Sequence, residues 1–348
     1  MKLETFADVL KAVGKYRNRE FHLLLGNGFS VAYDPEIFSY NALHEFIDNL
    51  NDVDLSKILE VIETKNFEII MQQLDNFSAL IDAFGGGVGL KKKIDAASAR
   101  LKKCLLESVK ELHPEHVFTV PENESEACSK FLAKFLNTGG KIFSTNYDLL
   151  LYWILMRNSV SDHCDGFGRE LENSDEFVPP EKQIQSDLMW GKNRDNQNVF
   201  YLHGALPFFD AGIAIEKEEY SQHHYLLENI SSRMELGEYP IFVTAGDGNQ
   251  KLSHIKHNPY LTDCYDNLCN ATGSLVTFGF NFGKYDEHII EAINRAAKFG
   301  RKSFPKLLSI YIGTYTEDDR EHIHSIEHKF KCKVHIYDAK TADVWGRM

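Results

Sequence analysis

Residues 141–153, KIFSTNYDLLLYW, set the tightest limit on what this chain can fold into. Lys141–Ser144 has the apolar run of a buried strand, Thr145-Asn146-Tyr147-Asp148 ends it, and an apolar helix begins at Leu149. A strand that gives way so quickly to a helix lays one layer of structure on another, as in an open α/β sheet. In such sheets ligands bind outside the carboxyl ends of the strands. The turn would set a hydroxyl, an amide and a carboxylate at such an end. Asp and Asn are also preferred helix N-caps. These residues alone therefore leave open whether Asp148 caps the helix Leu149–Met156 or serves a site.

Three other apolar runs end in unusual chemistry. Phe21–Leu25 runs into Gly26-Asn27-Gly28-Phe29-Ser30. Glycines there allow positive φ and a close backbone approach to a ligand, and the N–H groups of a following helix start favour anions. Strand–GNGFS–helix thus reads as a dinucleotide phosphate loop, with an ordinary βα turn as the alternative. It is not the GxGxxG fingerprint, because position 31 is Val, and no GxxxxGK[ST] loop occurs in the chain. Phe200-Tyr201-Leu202 leads into His203-Gly204. A histidine at a strand end before glycine is expected to be exposed and to titrate near neutrality; the alternative is a histidine bonded to a neighbouring loop. Ser274–Phe278 ends in Gly279-Phe280-Asn281-Phe282-Gly283.

Further strands are expected at Pro240–Thr244, Leu307–Ile312 and Lys333–Tyr337. Helices are expected over 4–16, 124–136, from Asp286, and over 317–330. The alternation predicts one α/β domain over residues 1–348, with a Rossmann-like, doubly wound, mostly parallel sheet. Residues 36–138 are too long for one crossover. Two apolar stripes at helical spacing, Phe67 to Ile81 and Leu90 to Leu112, flank Gly85-Gly86-Gly87 and each predict one buried face. We expect an inserted helical module over 50–138 and a smaller helical insertion over 207–238.

Net charge is −13, which repels phosphate backbones, so direct nucleic-acid binding is not expected. The cysteines at 104, 128, 164, 264, 269 and 332 form no CxxC pair, excluding a zinc ribbon and a thioredoxin-type site. His324 and His328 stand at i, i+4 without a third ligand in reach, and no metal is expected. The N-terminus has no apolar signal region, and the longest apolar run, Leu149–Met156, is far shorter than a membrane span. A soluble, cytoplasmic protein is expected.

Taken in order, GNGFS, TNYD, HG and GFNFG resemble the sirtuin superfamily. Gly26, Gly28 and Ser30 match its Gly-Ala-Gly-x-Ser loop. Thr145, Asn146 and Asp148 match its Thr-Gln-Asn-x-Asp strand end, with Ser-Thr for Thr-Gln. His203-Gly204 matches its His-Gly, and Gly279 and Asn281 stand at its late Gly-x-Ser, with Asn for Ser. The similarity is greatest to bacterial sirtuin-like domains of anti-phage defence, with TNYD, LHG and GFxFxDEHI-like signatures. The deacylase zinc ribbon is missing, and YDPEIFSY stands where deacylases carry an arginine-bearing segment.

The resemblance therefore implies NAD hydrolysis to nicotinamide and ADP-ribose rather than deacylation or ADP-ribosyl transfer. NAD would be the substrate, and the transition state oxocarbenium-like. The resemblance implies that Asn146 orients the ribose or water, His203 acts as general base, and Asp148 positions Asn146 or stabilises positive charge. It further implies that Gly26, Asn27, Gly28, Phe29, Ser30 and Thr145 hold NAD, with Gly279 and Asn281 on the adenosine side. An activating partner or homo-oligomer is expected, because unregulated NAD loss is toxic. The alternative is a catalytically silent NAD or ADP-ribose sensor.

Overall fold

The computed structural model describes residues 3–15, 20–35, 53, 57–58, 61, 67–85, 87–158, 160, 162–169, 187–221, 223–243, 248–297 and 307–347. The strands are β1 Glu4–Thr5, β2 Phe21–Leu25, β3 Ile142–Ser144, β4 Phe167–Gly168, β5 Leu188–Trp190, β6 Val199–Tyr201, β7 Gly204–Asp210, β8 Ile215–Lys217, β9 Pro240–Phe242, β10 Gly273–Phe278, β11 Leu307–Thr314 and β12 Lys333–Asp338. Seven of them form a parallel sheet in the order β1-β12-β11-β10-β2-β3-β6.

That order decides where a ligand can go. Counting β2, β3, β6, β10, β11 and β12 as one to six gives 3-2-1-4-5-6, the doubly wound order of dinucleotide-binding sheets. From β2 the chain winds toward β6; from β10 it winds toward β12. The winding reverses between β2 and β10, where Leu25 pairs with Phe278. A crevice opens at such a switch point, at the carboxyl ends of the strands. Residues Phe21–Leu25 and Gly273–Phe278 are buried throughout, because helices cover both faces. The helix Glu122–Leu136 covers one of them. Its Phe135 meets Phe21 at a ring separation of 5.4 Å, and its Phe131 meets Phe278 at 5.8 Å and Phe6 at 5.4 Å. Each such buried ring contributes about 1.5–3 kcal/mol relative to exposure.

The smaller insertion differs from expectation. Among the described residues of 207–238 only Leu226–Glu235 is helical; Ile215–Lys217 is a strand that pairs with β7. With β4, β5 and β9 these make a second sheet, β4-β5-β8-β7-β9, antiparallel throughout. Pro240–Phe242 thus belongs to this sheet and not to the parallel one. Gly204 and Pro207 disguise β7 in the sequence. Both are tolerated because the β7–β9 pairing shifts register between Gly204 and Phe209. Gly204 has φ +77°, and a Cβ there would lie 1.9 Å from the Ile241 carbonyl oxygen.

The N-terminal helix is also shorter than expected, Phe6–Val13, with Thr5 as its cap. The larger module contains the helices Phe67–Ala83 and Val88–Leu112, folded back on each other. Ile70, Leu74, Ala97 and Leu101 are buried, whereas Phe77, Leu80, Phe84, Val88 and Leu90 near the turn are exposed. Among the described side chains, the two expected faces are thus buried away from the turn and exposed beside it. Most of the expected module between residues 50 and 66, the YDPEIFSY segment beyond Pro35, and the last residue of the expected strand Pro240–Thr244 lie outside the described residues. No helix among the described residues is long and apolar enough to cross a membrane.

Candidate functional site

A cleft of about 1080 Å³ opens over the switch point, at the upper end of the range for small-molecule sites. Asn27, Gly28, Thr145, Asn146, Asp148, His203, Gly279 and Asn281 all line it. Segments more than a hundred residues apart in the chain thus meet at one edge.

Their connection is a buried chain of hydrogen bonds. Ser30 Oγ donates to Asp148 Oδ2 at 2.5 Å, and Asn146 Nδ2 donates to Ser30 Oγ at 2.9 Å. Asp148 Oδ1 accepts from the Leu150 amide at 2.9 Å. Asp148, one residue before the N-cap Leu149, therefore both holds the first amide of the helix Leu150–Arg157 and ties the end of β3 to the end of β2. Burial raises its pKa to about 6, with the bonds from Ser30 and the Leu150 amide opposing the shift. Asn146 is buried, and its Oδ1 has no hydrogen-bond partner among the described residues. A buried acceptor left unpaired costs about 1–3 kcal/mol, so this oxygen suits a hydroxyl or water donor.

The turn is fixed from several sides. The Thr145 amide donates to Leu25 O at 3.0 Å, the Asn146 amide to Ser144 Oγ at 3.1 Å, and the Leu149 amide to His113 Nε2 at 2.9 Å. His113 Nδ1 faces Pro114 O at 2.9 Å, and burial lowers its pKa to about 4. It is thus a neutral imidazole with its proton on Nδ1. The Tyr147 hydroxyl donates to Val243 O at 2.9 Å.

The GNGFS loop behaves differently from a simple phosphate cradle. Gly26 and Gly28 are not at positive φ. They are glycines because the end of β10 crosses them: a Cβ would lie 2.5 Å from Gly279 O at Gly26, and 2.6 Å from Gly279 Cα at Gly28. The Gly26 amide donates to Phe278 O, that of Gly28 to Gly279 O, that of Phe29 to Gly26 O and that of Ser30 to Asn27 O. The close approach is backbone to backbone, and these N–H groups are already used. Phe29 points away from the cleft into the core, beside Trp345, whose Nε1 donates to Phe29 O at 3.0 Å. Ser30 acts through Asn146 and Asp148. Asn27 and Gly28 are the loop residues that face the cleft.

Across the cleft, Phe282 has φ +48°, a strained conformation for a bulky residue. Its ring is locked against Phe280 and Phe330, and its carbonyl oxygen lies 3.2 Å from His322 Nε2. The turn leaves Asn281 exposed on the cleft wall.

His203 is the clearest departure from expectation. It is buried, not exposed, with Tyr147 stacked on one side. Its Nε2 lies 2.8 Å from Nε2 of His288 on the helix Glu287–Ala297. Burial first, then His288 and Lys251, hold its pKa well below the usual histidine range; burial and Lys251 lower that of His288. A strand end followed by glycine exposes a histidine only if nothing packs above it, and here a helix from the other half of the sheet does.

Sequence reasoning missed several cleft residues. Lys251 pairs with Asp286 at 3.1 Å, with the lysine buried. The far wall is the C-terminal segment, including Lys340, Trp345 and Arg347. Arg347 Nη1 donates to Tyr33 O at 2.6 Å, and its Nη2 to Glu124 Oε2 at 2.6 Å. No sequence signal marked these; the Asp286-Glu287-His288-Ile289 run marked His288 without giving it a role. His324 lies on the surface beside Glu327 at 3.5 Å. No group of three His, Cys, Asp or Glu side chains among the described residues is placed to share a metal ion.

No curated protein matches the chain. One family model does, over residues 23–345, from the first buried strand to the tryptophan that closes the cleft. The chain belongs to the family described as "Domain of unknown function (DUF4917)".

Proposed function

We propose that the chain hydrolyses NAD to nicotinamide and ADP-ribose, as its resemblance to sirtuin-like defence domains implies. The observation that carries this reading is the Ser30–Asn146–Asp148 network at the switch point. It holds the unpaired Asn146 Oδ1 in a cleft of dinucleotide size that His203 also lines. Asn146 Oδ1 would accept from a hydroxyl of the nicotinamide ribose or from the attacking water. Departure of nicotinamide neutralises its ring and leaves an oxocarbenium-like ribose. Asp148, held by Ser30, fixes Asn146 through that serine and adds negative charge near the developing cation once ionised. His203 would meet the ribose or the water through Nδ1, because Nε2 faces His288. Asn27, Gly28, Thr145, Gly279 and Asn281 would line the rest of the dinucleotide. With the Gly26, Gly28, Phe29 and Ser30 amides used internally, most of the diphosphate charge falls to the cleft cations, Lys251, Lys340 and Arg347.

Asn146→Ala and His203→Ala test the reading. Each is expected to abolish most nicotinamide release while circular dichroism still shows a folded protein, His203→Ala at a lower melting temperature because it empties a buried site. Release like that of the wild type in either variant would remove its residue from the mechanism.

The second reading, a silent sensor of NAD or ADP-ribose, is favoured by one observation: a histidine buried against another histidine is a weak base. Ligand binding without nicotinamide release would select it. As a defence effector the protein would be held inactive until a trigger, partner or second copy assembles it.

A further inference from the structure

Two imidazole Nε2 atoms 2.8 Å apart can share only one proton. With both rings neutral, there are two arrangements. Either His288 donates from Nε2 and His203 carries its hydrogen on Nδ1, or His203 donates and His288 carries its hydrogen on Nδ1. Each contains one ring protonated on Nδ1, so intrinsic tautomer preferences cancel and the surroundings decide.

The surroundings differ. His288 Nδ1 is buried with no hydrogen-bond partner among the described residues. His203 lines the cleft, and Nδ1 is the ring nitrogen it has left for a ligand. A buried N–H without an acceptor is rarer in folded proteins than a buried acceptor without a donor. The second arrangement would strand such an N–H in the core. The first leaves only a lone pair there and turns the His203 N–H toward the cleft. Burial first, and then the Lys251 ammonium, hold both rings below the usual histidine range, which keeps them uncharged.

We propose that His288 is a positioning residue that fixes His203 as the Nδ1–H tautomer, so that His203 meets its ligand as a hydrogen-bond donor. Its partner is then an acceptor oxygen. On the NAD reading, on which only this identification rests, that is a ribose or diphosphate oxygen, and His203 does not remove a proton from water in the resting state.

Long-range proton–nitrogen correlation spectra of the full chain with 15N-labelled histidine, at about pH 7 and without NAD, read the tautomers directly. The paired rings are assigned by the signals that vanish in His203→Gln and His288→Gln. We expect His203 with Nδ1 protonated and Nε2 bare, and His288 with the reverse. His288→Gln, whose side-chain amide can still donate, should keep the His203 tautomer; His288→Phe should shift it toward Nε2–H. A wild-type His203 protonated on Nε2, or charged, overturns the proposal, as does a tautomer unmoved in His288→Phe. If His288→Phe does not fold, the wild-type assignment decides alone. The readout needs no turnover, so this proposal and NAD hydrolysis can fail separately.

Discussion

Replacing Asp148 by Asn tests whether the network at the switch point is as dry as the structure makes it. The Asp148 side chain is buried, and its carboxyl pKa rises from 3.8 in the unfolded chain to about 6 in the fold. The folded state thus holds the proton more tightly than the unfolded state. Stability from this group is fully present below about pH 4 and is lost as pH rises through about 6. At about 1.4 kcal/mol per unit the whole window amounts to ~3 kcal/mol, of which ~2 kcal/mol falls between about pH 4.5 and about pH 7.5. Asn has the same shape and does not ionise. Its altered bonds to Ser30 and the Leu150 amide cost the same at both pH values, and the other titrating groups are common to both proteins. The stability of Asp148→Asn relative to wild type should therefore rise by ~2 kcal/mol from the lower to the higher pH. Urea unfolding at the two pH values, followed by circular dichroism and tryptophan fluorescence, measures this. A relative stability that does not change with pH, or that changes in the opposite direction, refutes a desolvated Asp148.

Two further substitutions probe how the cleft is built. Gly28→Ala puts a Cβ 2.6 Å from Gly279 Cα, backbone against backbone, and should cost about 1–3 kcal/mol in urea unfolding; Gly87→Ala meets nothing within 4 Å and should cost under about 0.5 kcal/mol. Equal costs would mean that the two loops do not cross as described. Trp345→Ala removes the bond to Phe29 O and the ring contacts with Phe29 and Tyr33, and should cost about 3–5 kcal/mol. A much smaller loss would place the C-terminal segment off the cleft.

The sequence was most readable where a local signal and a tertiary role coincide. FHLLL and LVTF are apolar runs broken only by His22 and Thr277, because both faces of their strands are covered, so their burial and parallel pairing could be foreseen. The polar strand ends stood out because four of them interrupt apolar runs, and the topology gathers them at one cleft. The β7–β8 hairpin was hidden because a register shift absorbs Gly204 and Pro207, and pattern reading treats both as breakers. The reason for Gly26 and Gly28 was also hidden: their constraint comes from Gly279, about 250 residues later. The burial of His203 depends on a helix 85 residues further along, and the closure of the cleft depends on Trp345 reaching Phe29. No window of local sequence contains such pairs.

Nicotinamide release from NAD by the purified protein over a concentration series, with Asn146→Ala in parallel, tests the proposed hydrolysis at its reacting bond. Release by the wild-type protein is expected, steeper than linear in protein concentration if assembly activates it, with loss of release in the variant while circular dichroism shows it folded. Release that survives in Asn146→Ala, or an absence of both release and calorimetric binding of NAD and ADP-ribose, contradicts that expectation.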